Sequence, residues 1–452
     1  MSKRARILLF LGLCALFVVS GTAAVTYSQG FRFDVKTFTF QKVGAIYIRS
    51  FPSNANIQLN GKVVQNDSWL LQRGTLINNL FPKSYKIMLE LKGYKMWHQT
   101  VAVKPSLVSE LNALLIPAES RDVPAVSTPL KNFWRINQAV LHQEHNGALN
   151  WRGVKVQGTN VIGWTDDSKK LLTSDSAKKT YFWVDLATGS STNITSAFKK
   201  TGGDPAAFEF SPDPEDSQKV LLVGSKYIVL LDPQRNVTST IAEAGKREGA
   251  TAQKVNRLQW SKATASSRAN FAFSEFDAAQ GTSTIVVINK SSRKPEYPPS
   301  PALQGKTLKM AWINSSRLMV LQDDGELYLY EPSRGDVRAF ASDVKDFVLN
   351  TDRTMVATLE RSAIEVFSFK DEDEYWRFAP PQAHLIKKLL WHKDSEHLFV
   401  VYPERTRLLD ITDAALENFE EVAESSLVEY DEEDNSLFFI KDDRLREVPF
   451  SS

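Results

Sequence analysis

The stretch "WTDDSKKLLTSDSAKKTYFWVDLATG", residues 164–189, sets an aromatic residue before an acidic turn, then two short apolar runs separated by a polar gap, then a second turn. Short runs rich in Val, Leu, Phe and Tyr between turn residues read as antiparallel strands. The pattern recurs. Trp164 aligns with Phe210, Trp260, Trp312, Leu349, Trp391 and Tyr430, at spacings of about 37 to 52 residues. Polar turns come after most of these anchors: Asp166-Asp167, Pro212-Asp213, Asn314-Ser315, Thr351-Asp352, Lys393-Asp394 and Glu432-Glu433. A β-rich run comes next, such as "KVLLVG", "RLMVLQ" or "HLFVVY", and then a second, such as "KYIVLLD" or "ELYLYEP".

A twisted antiparallel sheet cannot bury both its faces alone, so repeated units of this size pack face to face around an axis as the blades of a β-propeller. Seven anchors predict about seven blades over residues 131–452, with six or eight compatible. The last unit, from Val428 to Phe450, has room for about three strands, and a strand from residues 133–160 is expected to complete it and close the ring. The recurrent aromatic is expected to fill the space between blades rather than to stack on a ligand. Phe210-Ser211-Pro212-Asp213 and Asp185-Leu186-Ala187-Thr188-Gly189 resemble the turns of the TolB-like and WD-repeat-like propellers, while the Gly-His pair of a full WD repeat is absent. The fold class expected is all-β, preceded by an N-terminal transmembrane helix.

That helix is read from "ILLFLGLCALFVVSGTAAV", residues 7–25, which carries no charge and at ~1.5 Å per residue spans ~28 Å of a ~30 Å hydrocarbon core. Lys3, Arg4 and Arg6 precede it, so the positive-inside tendency keeps residues 1–6 cytoplasmic and places the chain beyond Thr26 outside. A cleaved signal peptide is the rival reading, because Gly21-Thr-Ala-Ala24 offers small residues for processing, although the run is long for a signal core. The single cysteine, Cys14, lies inside this run, so no intramolecular disulfide can form. An exported body without disulfides fits a bacterial-type cell envelope.

Residues 44–117 alternate apolar and polar side chains in short runs, as half-buried strands do, and Asn60-Gly61 stands where a tight hairpin needs positive φ. These residues are expected to form a small β-sandwich. Ser50-x-Pro52-x-x-Ala55, Asn60-Gly61, Leu80-x-Pro82-x-x-Tyr85 and Lys92-Gly93-Tyr94 resemble the PEGA domain family, whose members are small extracytoplasmic β modules of surface and membrane proteins. The resemblance implies no enzymatic role. Residues 118–130, with Pro124 and Pro129 following Pro117, read as a semi-rigid linker.

Charge is nearly balanced, 55 Lys+Arg against 53 Asp+Glu, so no basic field argues for nucleic acid. The acids gather late, at Asp371 to Glu374, Glu417 to Glu424 and Asp431 to Asp434. His142-Gln-Glu-His145 is not a zinc-protease motif, and on a strand its two imidazoles point to opposite faces. Gly305-Lys306-Thr307 has the tail of a phosphate loop but Ser300 in place of its first glycine. No G-x-S-x-G elbow occurs. No catalytic, cofactor-binding or metal residue is therefore expected. The function expected is that of a membrane-anchored extracytoplasmic binding or scaffold protein, recognising an envelope protein, peptide or polysaccharide, with Glu429, Glu432 and Glu433 as partner contacts. A hydrolase or lyase with its site in the propeller funnel is the alternative.

Overall fold

In a computed structural model the chain is described over residues 3–450, apart from 36, 67–73, 125, 127–128, 166, 197–208, 213–217, 224–226, 236, 244–257, 266–269, 290–291, 293, 371–373 and 414. Asp166, Asp213 and Asp371 to Asp373 of the sequence motifs lie outside these residues, as do the side chains of Phe210 and Trp260. The fold is all-β behind a single N-terminal apolar helix. It divides into two compact units, residues 1–120 with 415–420 and 448–452, and residues 121–414 with 421–447.

The first unit begins with the helix Lys3–Ser28, in which the window Phe10–Ser28 has a mean hydropathy of 1.8 and no buried residue. Gly30, at φ +82°, lets the chain turn sharply out of the helix into a hairpin of Phe31–Asp34 and Thr39–Lys42. Beyond it lie two sheets. One has the order Thr75–Leu80, Gly44–Phe51, Val108–Leu114, and the other Lys62–Val64, Asn56–Leu59, Ser84–Glu90, Trp97–Ala102. Alternate residues of both, including Ile46, Ile48, Ile57, Ile87, Leu89, Trp97 and Leu111, enclose one core, which is the sandwich expected from the alternation. Asn60 and Gly61 take φ of 48° and 76°, as a two-residue hairpin turn requires.

The second unit is built from four-stranded antiparallel meanders, eight of them among the described residues. They begin at Leu130, Asn160, Glu209, Leu258, Thr307, Val344, Lys388 and Val428, and form blades 1 to 8 in that order. First strands lie side by side at the joints of blades 2–3, 3–4, 4–5, 6–7 and 8–1, lysine side chains link those of blades 5–6 and 7–8, and blades 1 and 2 share a core, so the ring is closed. Apolar side chains fill the spaces between blades. Leu172 and Trp183 of blade 2 meet Val220 and Leu231 of blade 3, and Ile285 and Val287 of blade 4 meet Met310 and Trp312 of blade 5. Each such fully buried aliphatic side chain contributes roughly 1.5–3 kcal/mol.

Two expectations are corrected by this architecture. Residues 130–156 do not lend a strand to the last blade; they form blade 1 by themselves, with strands Leu130–Ile136, Ala139–Glu144, Leu149–Trp151 and Val154–Val156. Asn137-Gln138 and Arg152-Gly153, all at positive φ, turn the chain in two residues, which compresses this blade below the spacing of the others. The strand that completes the last blade is Arg121–Asp122, inside the stretch read as a linker, pairing with Glu447 and Arg446. Among the described residues the ring therefore has eight blades, within the six to eight that the anchors allowed.

Candidate functional site

The first strands of blades 5 to 8 end in turns that gather around one cleft. Trp312 closes the first, Leu349 to Arg353 the second, Trp391 the third and Tyr430 to Glu432 the fourth. Together with Ala311, Val348, Leu389 and Leu390 they line a cleft of about 540 Å³. Its lining is mostly apolar and aromatic, with Asn350, Thr351, Arg353 and Glu432 as its polar edge.

Hydrogen bonds between blades hold this edge. The Arg353 guanidinium donates to the carbonyl of Trp312 on blade 5 at 3.0 Å. Asn350, which is buried, accepts from the amide of Met355 at 2.9 Å and donates to Ser395 Oγ of blade 7 at 2.9 Å. Thr351 donates to Glu432 of blade 8. Trp391 donates its indole N–H to the carbonyl of Val348 at 3.1 Å. The recurrent aromatics thus do what core residues do, since Trp312 and Trp391 are buried and Trp164 packs against the core shared by blades 1 and 2. At blades 5, 7 and 8 they also present surface to the cleft.

Lysines brace the ring within the first strands. Lys309 of blade 5 reaches Asp346 at 2.6 Å and the carbonyl of Phe347 at 2.7 Å on blade 6, and Lys388 of blade 7 reaches the carbonyl of Val428 on blade 8 at 2.9 Å. Burial lowers the Lys388 ammonium, and the charge of Glu429 opposes that shift. Glu429 is itself half-buried and accepts from the backbone N–H of Arg135 on blade 1. Desolvation raises its carboxyl to about 7, against the pull of that hydrogen bond and of Lys388 and Arg135. Of the three glutamates expected at a partner surface, Glu432 and Glu433 are exposed, Glu433 accepting from Gln138 at 2.7 Å, while Glu429 belongs to the joint between blades 8 and 1.

The other motifs singled out in the sequence resolve into structure. His142 is buried, with its pKa lowered by desolvation, whereas His145 is exposed beside Asp443 at 3.3 Å. Lys306 and Thr307 lie at the start of blade 5, where the Thr307 hydroxyl is buried against Ser274 at 2.6 Å. Asp323-Asp324-Gly325 is a hairpin turn, with Gly325 at φ +90°.

One cluster escaped the sequence reading. His392, Asp394 and His397 surround the turn after the first strand of blade 7. Asp394 Oδ2 lies 2.9 Å from His392 Nδ1 and 2.8 Å from His397 Nδ1. Burial would lower His397, but Asp394 and then Asp410 hold its imidazolium and raise it to about 9. Asp394 is driven well below the usual carboxylate range: desolvation opposes ionisation, and the two histidines overcome it. The signal was present, because three residues of metal-ligand type fall within six positions of the Trp391 anchor.

No known protein family matches the chain, and no curated protein matches it. Solved structures similar in fold include the propeller domain of Cps50 (Swd1) from Myceliophteria thermophila, at 11% identity and a TM-score of 0.44, covering 65% of this chain and 99% of that one. Another is an oligogalacturonate lyase in complex with manganese, at 11% identity and a TM-score of 0.46, covering 74% of this chain and 98% of that one. Likeness this remote concerns the fold alone.

Proposed function

We propose that this chain is a membrane-tethered binding protein of a cell envelope, whose propeller receives an extended segment of an envelope partner in the cleft over blades 5 to 8. The observation that carries this reading is the cleft itself. Four blades line it with Trp312, Trp391, Tyr430, Arg353 and Glu432, held by hydrogen bonds between blades. Aromatic planes beside oppositely charged groups suit recognition, and aromatic and Arg side chains dominate binding energy at interfaces.

Tethering is supported by the helix and by the hairpin that adjoins it. Tyr27, Phe33, Val35, Phe38 and Phe40 are all exposed, and they cluster at the end of the helix and on that hairpin. Arg32 stacks over Tyr27 at 3.5 Å and donates to its carbonyl at 2.8 Å, tying the hairpin to the helix end. Aromatic rings with basic partners at the end of an apolar helix are what a membrane interface selects. The β-sandwich then serves as the PEGA-like spacer of the tether, and Glu432 and Glu433 contribute to partner choice.

Affinity capture by the full-length protein in detergent from an envelope fraction tests the reading. Arg353→Glu should weaken capture about 10- to 100-fold, a loss of roughly 1–3 kcal/mol, while Lys92→Glu on the sandwich leaves it unchanged. Equal capture by wild type and Arg353→Glu would remove the cleft from the account, and turnover of an ester, glycoside or peptide library would replace binding by catalysis.

A further inference from the structure

The two buried imidazoles of blade 7 are oriented in a way that hydrogen bonding within the cluster leaves unfinished. His392 Nε2 lies 2.8 Å from Asn435 Oδ1, and that oxygen also accepts the Tyr430 hydroxyl proton at 2.6 Å. His397 Nε2 faces Asp410 Oδ2 at 3.8 Å, and this buried carboxylate oxygen has no hydrogen-bond partner. Asn435 Oδ1 can only accept, which places a proton on His392 Nε2, and the amide N–H of Asp394 is directed at His392 Nδ1 at 3.4 Å, so that nitrogen presents a lone pair. It and His397 Nδ1 converge on one carboxylate oxygen, Asp394 Oδ2, at 2.9 and 2.8 Å, the second contact being a hydrogen bond. The proton in that bond stands where a metal cation would take its place.

We propose that His392 Nδ1, His397 Nδ1 and an Asp394 carboxylate oxygen bind one divalent transition-metal ion of the zinc class. Two imidazole nitrogens and one carboxylate are donors of borderline softness, which suit zinc, cobalt or nickel above magnesium or calcium. An oxygen acceptor behind a ligating ring fixes its tautomer; Asn435 supplies one behind His392 at 2.8 Å, and the carboxylate of Asp410 faces His397 Nε2 at 3.8 Å. The candidate ligand atoms all lie within 4.8 Å of one another. His392 and His397 are buried, whereas the Asp394 side chain is 31% exposed, so the ion has a route from solvent. Three protein ligands leave a coordination position for water. The site also reaches the cleft, because Tyr430 both lines it and hydrogen-bonds to Asn435.

The test uses the full chain in detergent, stripped by dialysis against a chelator and then titrated with cobalt(II) and, in competition, zinc(II). One equivalent of cobalt should bind with visible d–d absorption, zinc should displace it, and zinc should raise the thermal midpoint by a few degrees. Asp394→Asn, at the exposed ligand, should keep the circular dichroism of the parent and lose at least about tenfold in affinity, with His392→Gln behaving likewise. Asn435→Ala should weaken binding by roughly ten- to a hundredfold through the acceptor behind His392. The proposal is overturned if folded wild-type protein takes up no metal, because the cluster is then held by protons alone. It is equally overturned if folded Asp394→Asn and His392→Gln take up metal as the parent does. Neither result bears on partner capture by the cleft, which is measured separately.

Discussion

Glu429 shows how one buried carboxyl makes the ring sensitive to pH. Its folded pKa of about 7 stands above the ordinary 4.5 because burial disfavours the ion. Between those values the folded chain holds a proton that the unfolded chain has released. Stability is therefore greatest below pH ~4.5 for this group and falls as pH rises through ~7, by on the order of 3 kcal/mol. Glu429→Gln keeps an oxygen to accept from Arg135 and removes the titration. In denaturant titrations at pH 5 and pH 8, the variant should exceed the parent at pH 8 by about 1–3 kcal/mol and match it more closely at pH 5. An unchanged difference at the two pH values would show that Glu429 titrates as it does in the unfolded chain. At this scale the sequence was legible where geometry is local, as at Asn60-Gly61 and Asp323-Asp324-Gly325. It was not legible at Glu429, whose chemistry is set by Arg135 and Lys388 on other blades, and at His392 and His397 the local spacing to Asp394 could be read but not the remote Asn435 and Asp410 behind the rings.

Among the elements, the joint between blades 8 and 1 decides whether the ring stays closed. The two-residue strand Arg121–Asp122 completes blade 8, and Arg121 grips Glu447 through two nitrogens at 3.0 and 2.9 Å. Arg135 bonds Asp431 and Asp434 and lies over the Phe438 ring at 4.2 Å. The two ion pairs are not equal. Arg121 is 64% exposed, so its contribution is screened by water and amounts to about 0–1 kcal/mol, whereas the Arg135 side chain is 9% exposed and its loss strands Asp431. Arg135→Ala should cost about 3–5 kcal/mol in a denaturant titration and Arg121→Ala no more than about 1 kcal/mol. The reverse order would mean that the ring is closed by the short strand's side chains and not by the joint between first strands. The repeat itself could be read from the anchors, since aromatic residues at regular spacing mark a packing position that every blade must fill. Blade 1 and the closing strand could not, because Trp134 stands only thirty residues before Trp164 and two residues carry no periodicity.

For the whole molecule the question is whether the N-terminal helix stays with the body. The helix continues without a break from Lys3 to Ser28, past the small residues Gly21 to Ala24 that a processing enzyme would need in extended form. At ~1.5 Å per residue its 26 residues measure ~39 Å, enough to cross a ~30 Å hydrocarbon core and leave its last turn in the interface. The exposed aromatic hairpin continues from that turn, and its Phe38 and Phe40 have no core to fill. The apolar run was legible in composition alone. Its extension to Ser28 and the aromatic cluster were not, because Phe33, Phe38 and Phe40 alternate with polar residues as an ordinary half-buried strand does. An uncleaved anchor predicts that the expressed protein stays in the membrane pellet through an alkaline wash and that its intact mass includes the residues before Val25. With the basic residues Lys3, Arg4 and Arg6 held on the cytoplasmic side, protease added to spheroplasts should digest the propeller, and a reporter fused after Phe450 should be active only outside. Replacing Phe33, Phe38 and Phe40 by Ser should leave the protein in the pellet, because the helix alone anchors it, while raising proteolysis next to Gly30 as the hairpin leaves the interface. A soluble product lacking the residues before Val25 would convert the anchor into a signal peptide, and a propeller protected from protease would reverse the orientation.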